Sequence, residues 1–473
     1  MLSHLMSFCE RIKFIGFIGG DMPGKDQVRD RSTKPPFRRR SGGGFFFGSQ
    51  AGLIAAVVFV AGLWLGMVSP GAAETVSADR IYAEQKDALV QVRISDRVAG
   101  SKSSIGSGFL VGDQGLIATN YHVISDLVFH PADYQASFFH ENGQSGSLTL
   151  TAVDVVHDLA VLRAEIAPGK PLRLARIAPI QGEKLFSLGN PHDLGMTIVE
   201  GTYNGLLKQS LYKKIHFTGS INPGMSGGPA LNYQGEVVGI NVATAGNQLS
   251  FLVPAGYLQD LLDTLPPAPP GNTEILEIIR KQLLANQKKA MDLLRRHPLK
   301  TNNFNGYQVP DELSDFLKCW GDREPEDGER LYEKSFKSCS STDDIYLSSE
   351  HETGSFQFRH EVFSTEKMSP TRFSHFLQGH LNNPHMGYGG DEDSVSNYQC
   401  TSDFVQHGGT ESKVIFCLRS YKKLDGLYDV FLTANSLTRS EEALHTTLYM
   451  GGINRENALG FSREFLEAIS WNR

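Results

Sequence analysis

Between residues 80 and 265 the chain never stays apolar, or polar, for long. Short period-2 alternations are each closed by Gly, Asn, Asp or Pro within a few residues. That rhythm restricts the fold more than any other feature, because a half-buried strand needs period 2 and a turn needs those breakers. Leu89-Val90-Gln91-Val92-Arg93-Ile94 alternates cleanly. Segments 107–111, 115–119, 148–153, 159–162, 196–199 and 214–217 are similar, and 236–242 follows the turn Asn232-Tyr233-Gln234-Gly235. The spacing predicts an all-β barrel or sandwich over about 78–265, closed by a helix from 254 to about 265.

The 473 residues are too many for one ordinary domain and fit two to four units. Residues 266–273 hold Pro266-Pro267-Ala268-Pro269-Pro270-Gly271 and read as an extended, semi-rigid linker. Residues 274–297 read as an amphipathic helix, acidic in its first turn (Glu274, Glu277), basic in its last (Arg295, Arg296), and stopped by Pro298. Beyond it, 299–473 read as a smaller α+β domain. Segments 355–359 and 414–419 are strand-like, and 372–381 and 441–448 helix-like.

Residues 41–73 carry no charge, and 45–68 are mainly apolar. Arg38, Arg39 and Arg40 precede them. About 20 apolar residues span a bilayer, and a basic flank stays cytoplasmic. Residues 1–40 then read as an unstructured cytoplasmic tail. Residues 41–73 read as a transmembrane anchor or, given the small residues Ser69 to Ala73, a signal peptide. The rest of the chain is expected outside the cytoplasm, in a bacterial periplasm, either anchored in the inner membrane or released. Charge sharpens this: residues 1–73 hold nine basic and four acidic residues, and the remainder 36 basic and 48 acidic, a net −12. So acidic a body argues against nucleic acid as a partner.

Gly224-Met225-Ser226-Gly227-Gly228-Pro229 carries the chemistry. A nucleophilic serine has to sit exposed on a tight turn, with backbone N–H groups aimed at the developing oxyanion; glycines on both sides permit that backbone. The string also matches the G-x-S-x-G elbow, but there a helix follows and the histidine comes later. Here a hairpin follows, and no histidine occurs from Ser226 to His297. The opposite order is available upstream: His122 just after a strand, and one of Asp126, Asp133, Asp154, Asp158 or Asp193. Asp158 is preferred because an apolar strand runs on from it.

These blocks resemble the trypsin-like serine proteases of the HtrA/Do-like (Deg) type. Gly106-Ser107-Gly108-Phe109-Leu110-Val111 is similar to the family's opening strand. Thr119-Asn120-Tyr121-His122-Val123-Ile124 is similar to its histidine motif, and Asp158-Leu159-Ala160-Val161-Leu162 to its aspartate motif. Leu188-Gly189-Asn190-Pro191 resembles its Gly-Asn-Pro turn, and Ile221-Asn222-Pro223-Gly224-Met225-Ser226-Gly227-Gly228-Pro229 its serine motif. The resemblance implies an all-β, chymotrypsin-like double β-barrel with its site in the cleft between the barrels, and a serine endopeptidase acting on polypeptides. Ser226 would attack, His122 would move the proton, and Asp158 would orient His122. The Gly224-Met225-Ser226 turn would form the oxyanion hole through the N–H groups of Gly224 and Ser226. Ile221 would line the specificity pocket together with Leu249, Ser250 and Phe251, and Gln248 to Phe251 would pair with the substrate backbone. With no acid among these residues, small or medium aliphatic side chains are expected to be preferred. No cofactor or metal is called for, and the chain could self-associate. Met225 departs from the family's usual Asn, Pro223 removes an N–H, and no PDZ-like Gly-Leu-Gly-Phe loop follows Leu265.

Cys319, Cys339, Cys400 and Cys417 lie in the last third, and neighbour pairing, Cys319 with Cys339 and Cys400 with Cys417, is expected among three connectivities. An oxidising compartment agrees with this. His380, His385 and Asp391-Glu392-Asp393 read as part of an acidic loop. A quality-control protease of the cell envelope is the expected role; a chaperone-like binding protein with minor proteolysis is the alternative.

Overall fold

The computed structural model describes residues 77–471, apart from 167–168, 245–248, 296–297, 325–328, 383–388 and 438. The tail 1–40, the apolar segment 41–73, His385 and Gln248 lie outside the described residues. Among the described residues, no helix is long and apolar enough to cross a membrane.

After a short helix α1 (Ala78–Gln85), six strands close a first barrel: β1 (Leu89–Asp96), β2 (Lys102–Leu110), β3 (Leu116–Thr119), β4 (Tyr134–Phe139), β5 (Ser145–Asp154) and β6 (Leu159–Ala164), in the order β1-β2-β3-β6-β5-β4. Helix α2 (Tyr121–Phe129) leaves the end of β3. Six more strands close a second barrel: β7 (Lys184–Gly189), β8 (Thr197–Leu206), β9 (Ile215–Phe217), β10 (Pro229–Leu231), β11 (Val237–Thr244) and β12 (Ser250–Pro254), in the order β10-β11-β12-β9-β8-β7. Closure pairs the strand edges that an open sheet would expose. The alternation in β1 puts Val90, Val92 and Ile94 at full burial. Helix α3 (Ala255–Asp263) ends this part of the chain, as the sequence predicts.

The Pro-rich residues 266–271 carry no helix or strand, but the units they join are not held apart. Helix α4 (Asn272–Leu294) spaces Ile275, Ile279 and Leu283 at i, i+4, and all three are buried in one core with Val90, Ile117 and Leu162 of the first barrel. Gln282 fixes this contact twice: its Nε2 donates to Val153 O at 2.7 Å, and its Oε1 accepts from Val155 N at 3.0 Å. On the other side Gln287 Oε1 accepts from Asn457 Nδ2 at 2.9 Å. An apolar stripe of this length has to be covered, and the barrel is what covers it.

The C-terminal part begins with the hairpin of β13 (Thr301–Phe304) and β14 (Tyr307–Pro310). Strands β15 (Leu317–Arg323) and β16 (Glu333–Ser341) follow, then a second hairpin of β17 (Ile345–Ser348) and β18 (His351–Thr353), then β19 (Phe356–Ser364). Helix α5 (Pro370–Asn382) leads to β20 (Gln399–His407), β21 (Thr410–Ser420), β22 (Tyr428–Ser436) and β23 (Glu442–Ile453). Helix α6 (Arg455–Glu467) and β24 (Ser470–Trp471) complete it, β24 pairing with β14. Seven of these strands form an antiparallel sheet in the order β15-β16-β19-β23-β22-β21-β20.

The helix expected at 441–448 is instead strand β23. It lies in the middle of the sheet, and ten of its twelve residues are buried on one face or the other. With both faces covered, the period-2 signal that marks a strand is erased. The four cysteines pair as neighbours, Cys319 with Cys339 and Cys400 with Cys417. Each bond joins directly opposed residues, one across β15–β16 and one across β20–β21. Each therefore fastens one of the two edge strands to its inner neighbour. Among the described residues, Asp311, Cys319 and Cys339 are close enough together to suggest a metal site, but both sulfurs are tied up in the disulfide.

Candidate active site

The pairing of β3 with β6 places Thr119 opposite Ala160. The residues just beyond one end, Asn120 and His122, therefore meet the residue just before the other, Asp158. Asp158 takes a left-handed backbone, φ 56°, which Asp tolerates better than most residues. Asn120 Nδ2 donates to its carbonyl at 2.8 Å. The Asp158 carboxylate then accepts twice from His122: Oδ1 from the backbone N–H at 2.8 Å, and Oδ2 from ring Nδ1 at 2.7 Å. Burial works against a charged imidazole here, but the Asp158 charge and its hydrogen bond outweigh it, and the His122 pKa is raised above 6.5.

Of the other aspartates weighed, Asp154 forms a second pair, accepting from His157 Nδ1 at 2.6 Å. The His157 ring stacks on Tyr257 with centroids 3.6 Å apart. Asp193 lies elsewhere, bonded to Gln91 at 2.6 Å and to Lys102, and Asp126 bonds Ser103.

Ser226 comes from the second barrel, on the loop between β9 and β10. Gly224 has φ 94°, and a Cβ on it would stand 2.4 Å from Asn190 O; Gly227 has φ 85°, and a Cβ would meet Thr119 Oγ1 at 2.2 Å. A side chain at Gly227 would push the loop off the first barrel, and one at Gly224 would push it off the segment that follows β7 in the second. Ser107 of β2, almost fully buried, ties the two barrels together at this point. Its N–H donates to Ser226 O at 2.8 Å. Its Oγ donates to Gly224 O at 2.7 Å and accepts from Asn190 N at 2.8 Å. In the sequence Ser107 reads only as part of a strand, and its one distinguishing mark is its place between two glycines in Gly106-Ser107-Gly108.

Among the described residues, the N–H groups of Gly224 and Ser226 have no acceptor within the chain. That of Met225 does: it donates to Asn222 O at 3.0 Å, so Met225 cannot serve as a third oxyanion donor. Its side chain is fully buried beside Ile221 in the second barrel's core. Ser226 Oγ donates to Val242 O at 3.4 Å, and no hydrogen bond links it to His122 in this rotamer.

One expectation is corrected. Ser250, Phe251 and Leu252 pair with β11 on one side and with Phe217, His216 and Ile215 of β9 on the other, so they have no edge left for a substrate backbone. The free edge belongs to β11. Asn241 still exchanges bonds with the Ser226 loop, accepting from Gly227 N and donating to Gly228 O, both at 2.9 Å. Past it, among the described residues, no strand covers that side of 242–244. Of the other expected pocket residues, Ile221 and Ser250 are buried and linked, Ile221 N donating to Ser250 Oγ at 3.3 Å, while Leu249 is partly exposed.

Residues 106–240 match the family model described as a trypsin-like peptidase domain. The chain is 34% identical over 169 residues to the mitochondrial serine protease HTRA2 of Bos taurus, covering 34% of this chain and 36% of that one. It is 34% identical over 180 residues to the chloroplastic protease Do-like 1 of Arabidopsis thaliana, covering 34% and 39%. Among solved structures it is similar to the serine endoprotease from Yersinia pestis, 27% identical over 40% of this chain and 65% of that one, with a TM-score of 0.36. The chain thus spans between a third and two fifths of the length of these two curated relatives, through the two barrels.

Proposed function

We propose, from the premise that the two-barrel domain is a trypsin-like peptidase domain of the HtrA type, that this chain is a serine endopeptidase working through an acyl-enzyme. The observation that carries the reading is the Asp158–His122 pair at the end of the first barrel, together with a glycine-framed Ser226 loop that is bonded to that barrel through Ser107 and whose Gly224 and Ser226 N–H groups have no acceptor among the described residues.

The chemistry follows from that arrangement. A rotation about χ1 moves Ser226 Oγ from Val242 O toward His122 Nε2. Asp158 on Nδ1 keeps that proton in place, so Nε2 is the basic nitrogen. Oγ attacks the scissile carbonyl as Nε2 takes its proton, and the oxyanion is received by the N–H groups of Gly224 and Ser226. His122 returns the proton to the leaving amine, and water then releases the acyl group by the same route. A polypeptide laid along 242–244 adds a strand there, which sets the scissile bond over Ser226. With no acid at Ile221 or in the Leu249 to Phe251 segment, a small or medium aliphatic residue is favoured before the cut.

The substrates are proposed to be proteins of the envelope or other exported proteins. The charge-free segment 41–73 and the two disulfides support work outside a reducing cytoplasm. A second reading, protein binding with conditional proteolysis, is favoured by the resting rotamer of Ser226. Covalent labelling by a fluorophosphonate probe, with Ser226→Ala as control, decides between them. Labelling of the wild-type chain alone supports the peptidase; none under any condition tried favours the binding role.

A further inference from the structure

The C-terminal domain enters the peptidase cleft. Its β17–β18 hairpin is fastened beside the site by several bonds. Asp343, buried, accepts from Ser210 Oγ at 2.8 Å, from Leu211 N at 2.9 Å and from Lys214 Nζ at 2.7 Å. Thr342 Oγ1 donates to Gln209 O at 2.9 Å. Tyr121, fully buried and next in sequence to His122, donates through its hydroxyl to Leu347 O at 3.2 Å. Ile345 and Leu347 belong to the barrel's own core. This seating sets the ring of Tyr346 edge-on to that of His122, with centroids 5.8 Å apart.

Between the hairpin and the barrels lies a cavity of about 220 Å³. His122 and Val242, whose carbonyl accepts from Ser226 Oγ, both line it. Val156 and Phe251 supply apolar walls from the two barrels, and Ile345 and Tyr346 close it from the C-terminal domain. The volume is below the ~300 Å³ at which small-molecule pockets begin and suits one side chain of an extended peptide.

We propose, resting on the peptidase reading above, that Tyr346 and Ile345 complete the subsite for the second residue before the scissile bond, and that this subsite takes a medium-sized aliphatic side chain. Side chains alternate along an added strand. With the residue at the scissile carbonyl directed into the second barrel, the one before it passes over His122 and into this cavity. The C-terminal domain is then a specificity-determining part of the enzyme, and Tyr346 a residue that sets both the size of the pocket and the packing on His122.

The test uses the full chain and a fluorogenic peptide library varied at that second position. Wild type is expected to cleave Val, Ile or Leu peptides at least about tenfold better, in kcat/KM, than Asp or Lys peptides. Tyr346→Ala should shift the Phe-to-Val preference by about tenfold or more toward Phe, and Tyr346→Trp should shift it toward Ala. Tyr346→Trp carries the test if the alanine variant does not fold, and Tyr346→Phe, which keeps the ring, should retain the wild-type order as the control. Thermal midpoints and fluorophosphonate labelling verify each variant. A labelled wild type whose profile is the same in Tyr346→Ala and Tyr346→Trp overturns the subsite alone. Equal acceleration of every peptide by Tyr346→Ala overturns it too, since the hairpin would then only obstruct. A wild type that takes no label and cleaves nothing overturns the peptidase reading and the subsite with it.

Discussion

Asp158 holds His122 at two points, its Oδ1 on the backbone N–H and its Oδ2 on ring Nδ1, so one carboxylate fixes both where the ring starts and which way it faces. Asp158→Asn should keep much of the geometry, but its amide can donate to Nδ1 and so favour the wrong tautomer. The expected loss in kcat is on the order of 10⁴-fold, with folding retained. Steady-state cleavage of a fluorogenic peptide, beside the Ser226→Ala background rate, checks this; a loss under tenfold would remove Asp158 from the proposed role.

The same contact sets a pH dependence. Asp158 raises the His122 pKa above 6.5 against the effect of burial, and only neutral imidazole can accept the serine proton. Activity should therefore be full above the raised pKa and fall as pH drops through it, giving an acid limb centred above 6.5. The stability term has the opposite sense: protonated His122 favours the fold below 6.5, and that gain fades as pH rises through the folded pKa. In Asp158→Asn only burial remains, so the acid limb of the labelling rate should move down in pH. A limb that stays where it was would contradict the assignment.

What could be read in the sequence depended on how local its cause was. Gly224 and Gly227 were legible because a tight turn against a neighbouring backbone leaves no room for a Cβ, whatever the rest of the fold. Asp158 was legible from the apolar strand that follows it. The placing of the substrate backbone on Ser250 and Phe251 failed because a strand's residues do not say which of its edges is free; that depends on β9, some thirty residues earlier. Strand β23 was hidden by burial on both faces. Tyr346 was out of reach, since only the folded core brings a residue more than two hundred positions away onto His122.

Ser107 offers a third test. Its Oγ bridges Asn190 N and Gly224 O, and Gly224 O belongs to a residue whose N–H is a proposed oxyanion donor. Ser107→Ala leaves the buried Asn190 N and the half-buried Gly224 O without that partner, which costs about 1–3 kcal/mol of stability. It also frees the loop to drift, and misplacement of about 1 Å costs roughly 10²-fold in rate. We expect kcat to fall by ten- to a hundredfold while KM stays within about threefold, because the loss is felt mainly in the transition state. A shift in thermal midpoint with kcat intact would make Ser107 structural only.

The disulfides predict a redox effect confined to one part of the chain. Cys319–Cys339 and Cys400–Cys417 each fasten an edge strand of the seven-stranded sheet, while residues 74–318 contain no cysteine. Closing loops of 20 and 17 residues contributes about 3 kcal/mol each by limiting the unfolded chain. Reduction should lower the denaturant midpoint of the sheet, read by hydrogen exchange in β15 and β20, before it affects the two barrels. Equal loss of protection in both would show that the shared core transmits the change.

Acid should weaken the C-terminal domain through its buried histidines. Burial lowers the pKa of both His360 and His445 to about 4. His360 is fully enclosed, its Nδ1 3.0 Å from Thr446 Oγ1 and its Nε2 3.0 Å from Pro310 O. His445 Nδ1 is 2.5 Å from Asn435 Oδ1. An unfolded histidine takes up its proton near 6.5, so the unfolded chain binds more protons between about 6.5 and 4. Stability is thus fully present above 6.5 and is lost as pH falls toward 4, by about 3 kcal/mol per histidine at most. Denaturant titrations at half-unit steps from pH 7 to 4.5 should show the midpoint falling across that window. Burial also lowers the pKa of His351 and His407 in the same domain, so His360→Gln, whose amide can still donate to Pro310 O, should flatten the slope only in part. A midpoint independent of pH in the wild type would place both histidines in contact with solvent.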